Sequence, residues 1–347
     1  MTSITIKDVA LRAGVSIKTV SRVLNREPHV RQKTRDDVLA AVQALNYVPN
    51  VSARALAGSR SYLIGLYFDD PTPTYVSQAE QGAMSACRRF GYHLIVERLQ
   101  RKDEHFAAQV ASLGDHIRMD GCILTPPLCD ETSLLDVLDA GGSRYVRISP
   151  TVDPGRGPSV QFDDYGAAYA MTGRLIALGH REIAFISGPV EHVAAFRRQQ
   201  GFIQAMRDAG LSIPPAWLDR GDFHSRSGWL AGERLLISPQ RPTAIFAGND
   251  EMALGVMAVA NRLHLDIPGH LSLVGFDDTP SAEAVWPQLT TVRQPVSEMA
   301  HAAATLLMEP ADEAELCAVR MLDFTLVFRD STAPPSGSQL GRVSVAP

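Results

Sequence analysis

The chain of 347 residues contains no run of about 18 apolar residues, so no segment is suited to cross a bilayer as a helix. Its opening stretch, MTSITIKDVA, is polar and lacks the apolar centre of a secretory signal, which points to the cytoplasm. Cysteine is scarce, and Cys87, Cys122, Cys129 and Cys317 form no CxxC pair. Neither a disulfide framework nor a structural zinc site is expected, and the cysteines read as reduced, buried, small apolar residues. Catalytic punctuation is missing as well: there is no GxGxxG after a strand, no GxxxxGK[ST], no GxSxG and no HExxH. The ten histidines are scattered, and His180, at a helix exit in Leu178-Gly179-His180-Arg181, reads as structural rather than as a base. No cofactor or metal is expected, and no enzyme.

What is present is an asymmetry of charge. Residues 1–60 carry ten Lys or Arg against four Asp or Glu, whereas the other 287 carry 23 against 34. A basic module is joined to an acidic body, the arrangement of a polyanion-binding head attached to something else.

The pattern inside the head sharpens this. Thr5-Ile6-Lys7-Asp8 is a capping box that starts a helix at Ile6, with Ile6, Val9, Ala10 and Ala13 at helical spacing and Gly14 at the exit. Ser16 caps a second helix from Ile17 to about Asn25, with Val20, Val23 and Leu24 facing inward. Two short helices joined by a glycine turn form a helix-turn-helix, and the second is the candidate recognition helix. Arg22 and Lys18 suit guanine O6 and N7, and Ile17 a thymine methyl, while Ser16, Thr19 and Ser21 suit phosphate oxygens. A third helix, about Gln32 to Leu45, closes the core through Val38, Val42 and Leu45. Val51 to Gly58, with Asn50 as cap, is helix-capable but too short to be stable alone. Two readings of it remain, a hinge that folds on DNA with Leu56 as a minor-groove wedge, or a flexible linker.

From residue 61, short β-branched runs alternate with helical patterns. The candidate strands are Tyr62–Phe68, His93–Glu97, Cys122–Thr125, Tyr145–Ile148, Ile183–Ser187, Ala244–Ala247 and Leu271–Phe276. The alternation predicts an α/β body of parallel sheets covered by helices, in two lobes because the pattern returns after about residue 160, with a ligand in the cleft between them. The Pro-, Ser- and Gly-rich segment 333–347 reads as disordered.

ITIKDVALRAGVSIKTVSRVLN followed by YVPNVSARALAGSRSYLIGL resembles the DNA-binding head and hinge of the lactose and galactose repressor family. The body resembles the same family's effector-binding part, itself similar to periplasmic sugar-binding proteins. The segments that carry this are IALGHREIAFISGP, RRQQGFIQAMRDAGL, PTAIFAGNDEMALGVM, LSLVGFDDTP, WPQLTTVRQP and FTLVFRDST. The resemblance implies a helix-turn-helix domain at 1–49, a hinge at 50–60 and a two-lobed effector-binding and dimerisation domain at 61–332. It also implies a homodimer on a pseudo-palindromic operator, with two Leu56 side chains opening a central CG step. DNA-facing residues would be Thr5, Ser16, Ile17, Lys18, Thr19, Ser21, Arg22, Asn25, His29, Thr34, Asn50, Arg54 and Leu56. Arg31 departs from the family, which usually caps the third helix with serine there. The pocket would carry Tyr75, Asp163, Arg198, Phe223, Asn249 and Asp277, a set suited to a polyhydroxylated ligand. Asp69, Arg147 and Trp286 are added as features of this chain. Arg147 would either read an anionic ligand or pair with Asp69, Asp70 or Asp163 and leave a neutral pocket. The implied function is a ligand-responsive transcriptional regulator, a repressor of carbohydrate-utilisation genes. The rival readings are a solute-binding protein and a sugar-modifying enzyme with an accessory DNA-binding head.

Overall fold

A computed structural model describes residues 4–24, 30–47, 60–69, 72–116, 119–309 and 318–336. The chain divides between Tyr62 and Leu63 into a small N-terminal unit and a large second one. The expected hinge, apart from Arg60, lies outside the described residues, as do Asp70 and Cys317.

In the first unit the helices are α1 (Ile6–Ala13), α2 (Ile17–Leu24) and α3 (Gln32–Ala44). The capping box forms: the Thr5 amide and hydroxyl both donate to Asp8 Oδ2 at 2.8 Å, and these bonds hold the Asp8 carboxyl below its ordinary range. Gly14 ends α1 at φ 63°, a left-handed conformation that side chains resist. The Thr19 amide donates to Ser16 Oγ at 3.1 Å, so the second cap forms too. Arg31 precedes α3 without a side-chain cap. Val9, Ala10, Val20, Val23, Val38 and Ala41 fill the core, with Leu24, Val42 and Leu45 against it.

The second unit has two lobes. Strands β1 (Leu63–Phe68), β2 (His93–Arg98), β3 (Gly121–Leu124), β4 (Tyr145–Ile148), β5 (Ser159–Phe162) and β11 (Val319–Leu322) make a parallel sheet ordered β11-β5-β4-β3-β1-β2. Helices α4 (Pro73–Phe90) and α12 (Val296–Met308) cross against each other so closely that a Cβ on Gly82 would lie 1.9 Å from the Ser297 carbonyl oxygen. Helices α5 (Phe106–His116) and α6 (Thr132–Ala140) also belong to this lobe. Cys87, Cys122 and Cys129 are buried and unpaired, and burial raises each thiol.

The second lobe is built on β6 (Ile183–Ser187), β7 (Leu218–Arg220), β8 (Ala244–Ala247) and β9 (Ser272–Val274), parallel in the order β7-β6-β8-β9. Helices α7 (Asp164–Ala177) and α8 (Val193–Asp208) pack together, as do α9 (Ser225–Ile237) and α10 (Asp250–Arg262). A short helix, α11 (Pro280–Ala284), follows β9. His180 is structural, its ring nitrogens bonded to Thr243 Oγ1 at 2.9 Å, Ser272 Oγ at 3.0 Å and the Ala333 carbonyl at 2.9 Å.

The chain passes between the lobes three times: from β5 into α7, from β10 (Thr291–Arg293) into α12, and from β11 into β12 (Thr325–Val327). Strands β10 and β12 pair antiparallel, with Val292 opposite Leu326. All seven expected strands are present, the last shortened to β9. Five more, β5, β7, β10, β11 and β12, were not anticipated. The first part of the segment expected to be disordered, residues 333–336, is bound to the second lobe: the Ala333 amide donates to Ser272 Oγ at 3.0 Å, and Ser336 Oγ bonds the Gly269 carbonyl. Residues 337–347 lie outside the described set.

Candidate functional site

On α2, Val20 and Val23 point into the core, which leaves Ile17, Lys18 and Arg22 exposed and Ser21 half-buried along the other side. This face joins two cations to an apolar residue, the chemistry a major groove reads. Ser16 is committed locally, since its hydroxyl caps α2 and shares a 2.9 Å hydrogen bond with Thr19 Oγ1. Thr5 belongs to the α1 cap, and Thr34 is half-buried on α3. Asn25, His29, Asn50, Arg54 and Leu56 lie outside the described residues.

The second site is a cavity of about 90 Å³ between the lobes, beside an outer space, the mouth, of about 570 Å³ that shares His192, Asp222, Phe223 and His224 with it. At its centre is Arg198 on α8, 4% exposed. Its Nε donates to Asp164 Oδ1 at 2.8 Å and its Nη1 to the Gly248 carbonyl at 2.8 Å, with Asp277 Oδ1 3.7 Å from Nη1. The guanidinium carbon lies 3.6 Å from the centre of the Phe276 ring, a cation–π contact that in a dry setting contributes about 2 kcal/mol. Burial raises the Asp164 carboxyl and Arg198 opposes the rise. Asp277 is raised too, by burial, with Arg198 and a bond from Gln294 working against it.

Asp277 is placed by strained backbone, at φ 119° and followed by Asp278 at φ 56°. The Asp277 amide donates to the Val292 carbonyl at 2.8 Å, tying it to β10. Asp278 accepts from Arg293 Nε at 2.6 Å and Arg329 Nη2 at 2.7 Å, so both flanks of the ribbon hold this turn. Beneath it, the fully buried Asp250 takes a bond from the Thr291 hydroxyl at 2.6 Å and one from the Thr279 amide at 2.7 Å. Burial and the nearby Asp277 charge push Asp250 upward.

Asn249 lines the cavity with both ends of its amide used: Oδ1 accepts from the Met252 amide at 2.9 Å, capping α10, and Nδ2 donates to the Phe223 carbonyl at 2.8 Å. That bond holds Phe223 at φ 69°, with its ring edge-on to His192 at 5.5 Å. Burial lowers the His192 imidazole, favouring its neutral form. From the first lobe come Tyr75, whose ring meets Phe68 edge-on at 6.3 Å, and Ser149, at φ 47° with a buried hydroxyl that no protein group satisfies.

The cavity thus brings together Tyr75, Arg198, Phe223, Asn249 and Asp277 from the expected set, and the structure corrects three other assignments, Asp163, Arg147 and Trp286. Asp163 is exposed and caps α7, accepting from the Gly166 amide at 2.9 Å; its neighbour Asp164 turns inward instead. Arg147 is fully buried inside the first lobe, donating to the carbonyls of Cys129 at 2.6 Å, Asp153 at 2.7 Å and Arg156 at 3.1 Å, and to Asp130 at 2.9 Å. Among the described residues its carboxylate partner is therefore Asp130 and neither Asp69 nor Asp163, and it does not line the cavity. Trp286 is 82% exposed and forms no wall. Asp69 lies in the mouth, locked to Arg101 Nε at 3.0 Å. Sequence reasoning missed Asp164, Ser149, His192, Asp222, His224 and Gln294. Gln294 had a signal, since it falls in the quoted WPQLTTVRQP.

Residues 5–50 match the family described as bacterial regulatory proteins, lacI family, and 172–332 the periplasmic binding protein-like domain. The chain is 34% identical over 313 residues to the HTH-type transcriptional repressor PurR of Klebsiella pneumoniae (strain 342), covering 88% of this chain and 89% of that one. This chain belongs to the lacI family of bacterial regulatory proteins. Against PurR of Proteus mirabilis (strain HI4320) identity is 35% over 318 residues, with the same coverage. Among solved structures, the lac repressor dimer bound to operator and the anti-inducer ONPF superposes with TM-score 0.76 at 30% identity, covering 96% of this chain and 100% of that one. The CelR–cellobiose complex gives 0.71 at 29%, covering 94% and 99%. As a member of this family the chain is a DNA-binding transcriptional regulator with a two-lobed body.

Proposed function

We propose that the protein is a cytoplasmic, homodimeric repressor of carbohydrate-utilisation genes, released from or directed to its operator by an uncharged carbohydrate held between the lobes, and that it performs no catalysis. The observation that carries the effector class is the charge balance around Arg198. Its guanidinium faces two carboxylates, Asp164 and Asp277, and Arg147, the other candidate charge reader, spends its donors inside the first lobe. A cavity with no unpaired cation among its described lining residues and several oxygen acceptors suits a donor-rich polyol better than an acid or a phosphate. A solved relative supports the same reading: the CelR complex, at 29% identity, holds cellobiose.

Two of the three interlobe connections lead into a cavity residue, since Asp164 follows β5 and Gln294 follows β10, and past the third, beyond β12, Arg329 grips Asp278 beside Asp277. A ligand that prefers one arrangement of the lobes shifts the protein toward it, and its coupling to operator affinity is reciprocal. Of the DNA-facing set, Ile17, Lys18 and Arg22 are the base readers in this account, and Leu56 the minor-groove wedge.

Selection of binding sites from random DNA by the full-length protein tests the function as a whole. The expected product is a pseudo-palindrome with a central CG step, and Arg22→Ala costs about 1–3 kcal/mol at one base position while relaxing discrimination there. Recovery of no common sequence would remove the regulatory reading. Unchanged base preference in the variant would remove Arg22 alone.

A further inference from the structure

Small-molecule sites generally occupy roughly 300–1,000 Å³. The inner cavity, at about 90 Å³, falls below that range, and the mouth, at about 570 Å³, lies within it. The two spaces adjoin, with His192, Asp222, Phe223 and His224 lining both. Phe223 stands at their junction: it lines each space, and its left-handed backbone is held against strain by the Asn249 amide. A flat apolar ring at the junction of two polar spaces is suited to lie under the link between two sugar rings.

The mouth is also walled from both lobes. Lys102, after β2, reaches Glu191, after β6, with Nζ to Oε1 at 2.8 Å, and closes one side. Arg101 is held by Asp69 at 3.0 Å, so each of the two Lys or Arg side chains that line the mouth already has a carboxylate partner. The carboxylates of Asp103 and Asp222 accept from nearby backbone amides, and Gln100 stands exposed at the rim. An anionic outer group would find no unpaired cation among these residues, whereas hydroxyl groups would find acceptors.

We propose that this mouth is an outer subsite and that the effector is an uncharged disaccharide, one ring in the cavity beside Arg198 and the second between Phe223 and the Lys102–Glu191 bridge. This rests on the carbohydrate reading given above and narrows it to a two-ring ligand.

Calorimetric titration of the full-length protein with cellobiose, maltose and lactose, and with glucose and galactose, decides the matter. At least one disaccharide should bind about tenfold or more tightly than the monosaccharides it contains. Gln100→Ala, a surface change checked for an unaltered melting temperature, should weaken that disaccharide severalfold and leave monosaccharide binding unchanged. Glucose or galactose binding as tightly as every disaccharide would overturn the outer subsite while leaving the carbohydrate reading intact. An unaltered disaccharide affinity in Gln100→Ala would also count against it. Absence of binding by all five sugars would overturn both.

Discussion

Arg147 in the first lobe and Arg198 in the second are 0% and 4% exposed, and oxygen acceptors surround each of them. Arg147 sits in the middle of β4, where its donors reach, among the described residues, carbonyls and a carboxylate of its own lobe; they fasten the loop after that strand to Asp130. Arg198 sits on α8, beside the carboxyl ends of its sheet's strands, and bonds Gly248, which follows β8, and Asp164, at a crossover. Buried charge has a structural use in one case and faces a ligand cavity in the other. The difference lies in position relative to the strand ends, since ligands in parallel α/β folds gather there.

The largest effect should come from Arg147→Met. Removing one partner of a buried, hydrogen-bonded pair costs about 3–5 kcal/mol, visible as a drop in the denaturant midpoint. The folded fraction should keep its ligand response, and loss of ligand binding at unchanged stability would place Arg147 in the site after all. Next is Arg198→Gln, which should abolish ligand binding and make stability strongly dependent on pH. Burial already raises Asp164 and Asp277, and without the cation both rise further. A carboxyl whose folded pKa lies above its unfolded value loses stability as pH increases between the two, so the deficit should be smaller at pH 5 than at pH 8. Equal deficits at both would mean that these carboxyls do not feel Arg198.

A smaller change distinguishes the first lobe's contribution to the cavity. Ser149→Ala removes a buried hydroxyl that lacks a protein partner, so the unliganded protein should gain about 1 kcal/mol in denaturant unfolding. The same change should weaken the bound sugar, and an unaffected titration would show that the hydroxyl does not meet it. Trp286→Ala should fall within about 0.5 kcal/mol of wild type in stability and leave ligand affinity unchanged.

The head was legible in the sequence because its determinants are local: Thr5 and Asp8 lie three residues apart, and Ser16 and Thr19 likewise. The main strands were legible for a similar reason, being short apolar runs between turns. Strand β11 escaped notice because VRML is half exposed and pairs with β5, some 160 residues earlier in the chain. The cavity was read to within one position at Asp163-Asp164. Either aspartate can cap a helix, and Arg198 selects which one turns inward. Arg147 could not be told from a ligand reader, because its partners Asp130, Asp153 and Arg156 are set by loop packing rather than by spacing.

The most direct test of the central claim is a thermal-shift comparison of the full-length protein with neutral sugars against sugar acids and sugar phosphates, repeated on Arg198→Gln. A ligand bound by the folded state raises the melting temperature by mass action. The account predicts a shift with a neutral sugar, none with the acids or phosphates, and loss of the shift in the variant. A shift confined to acids or phosphates would contradict it.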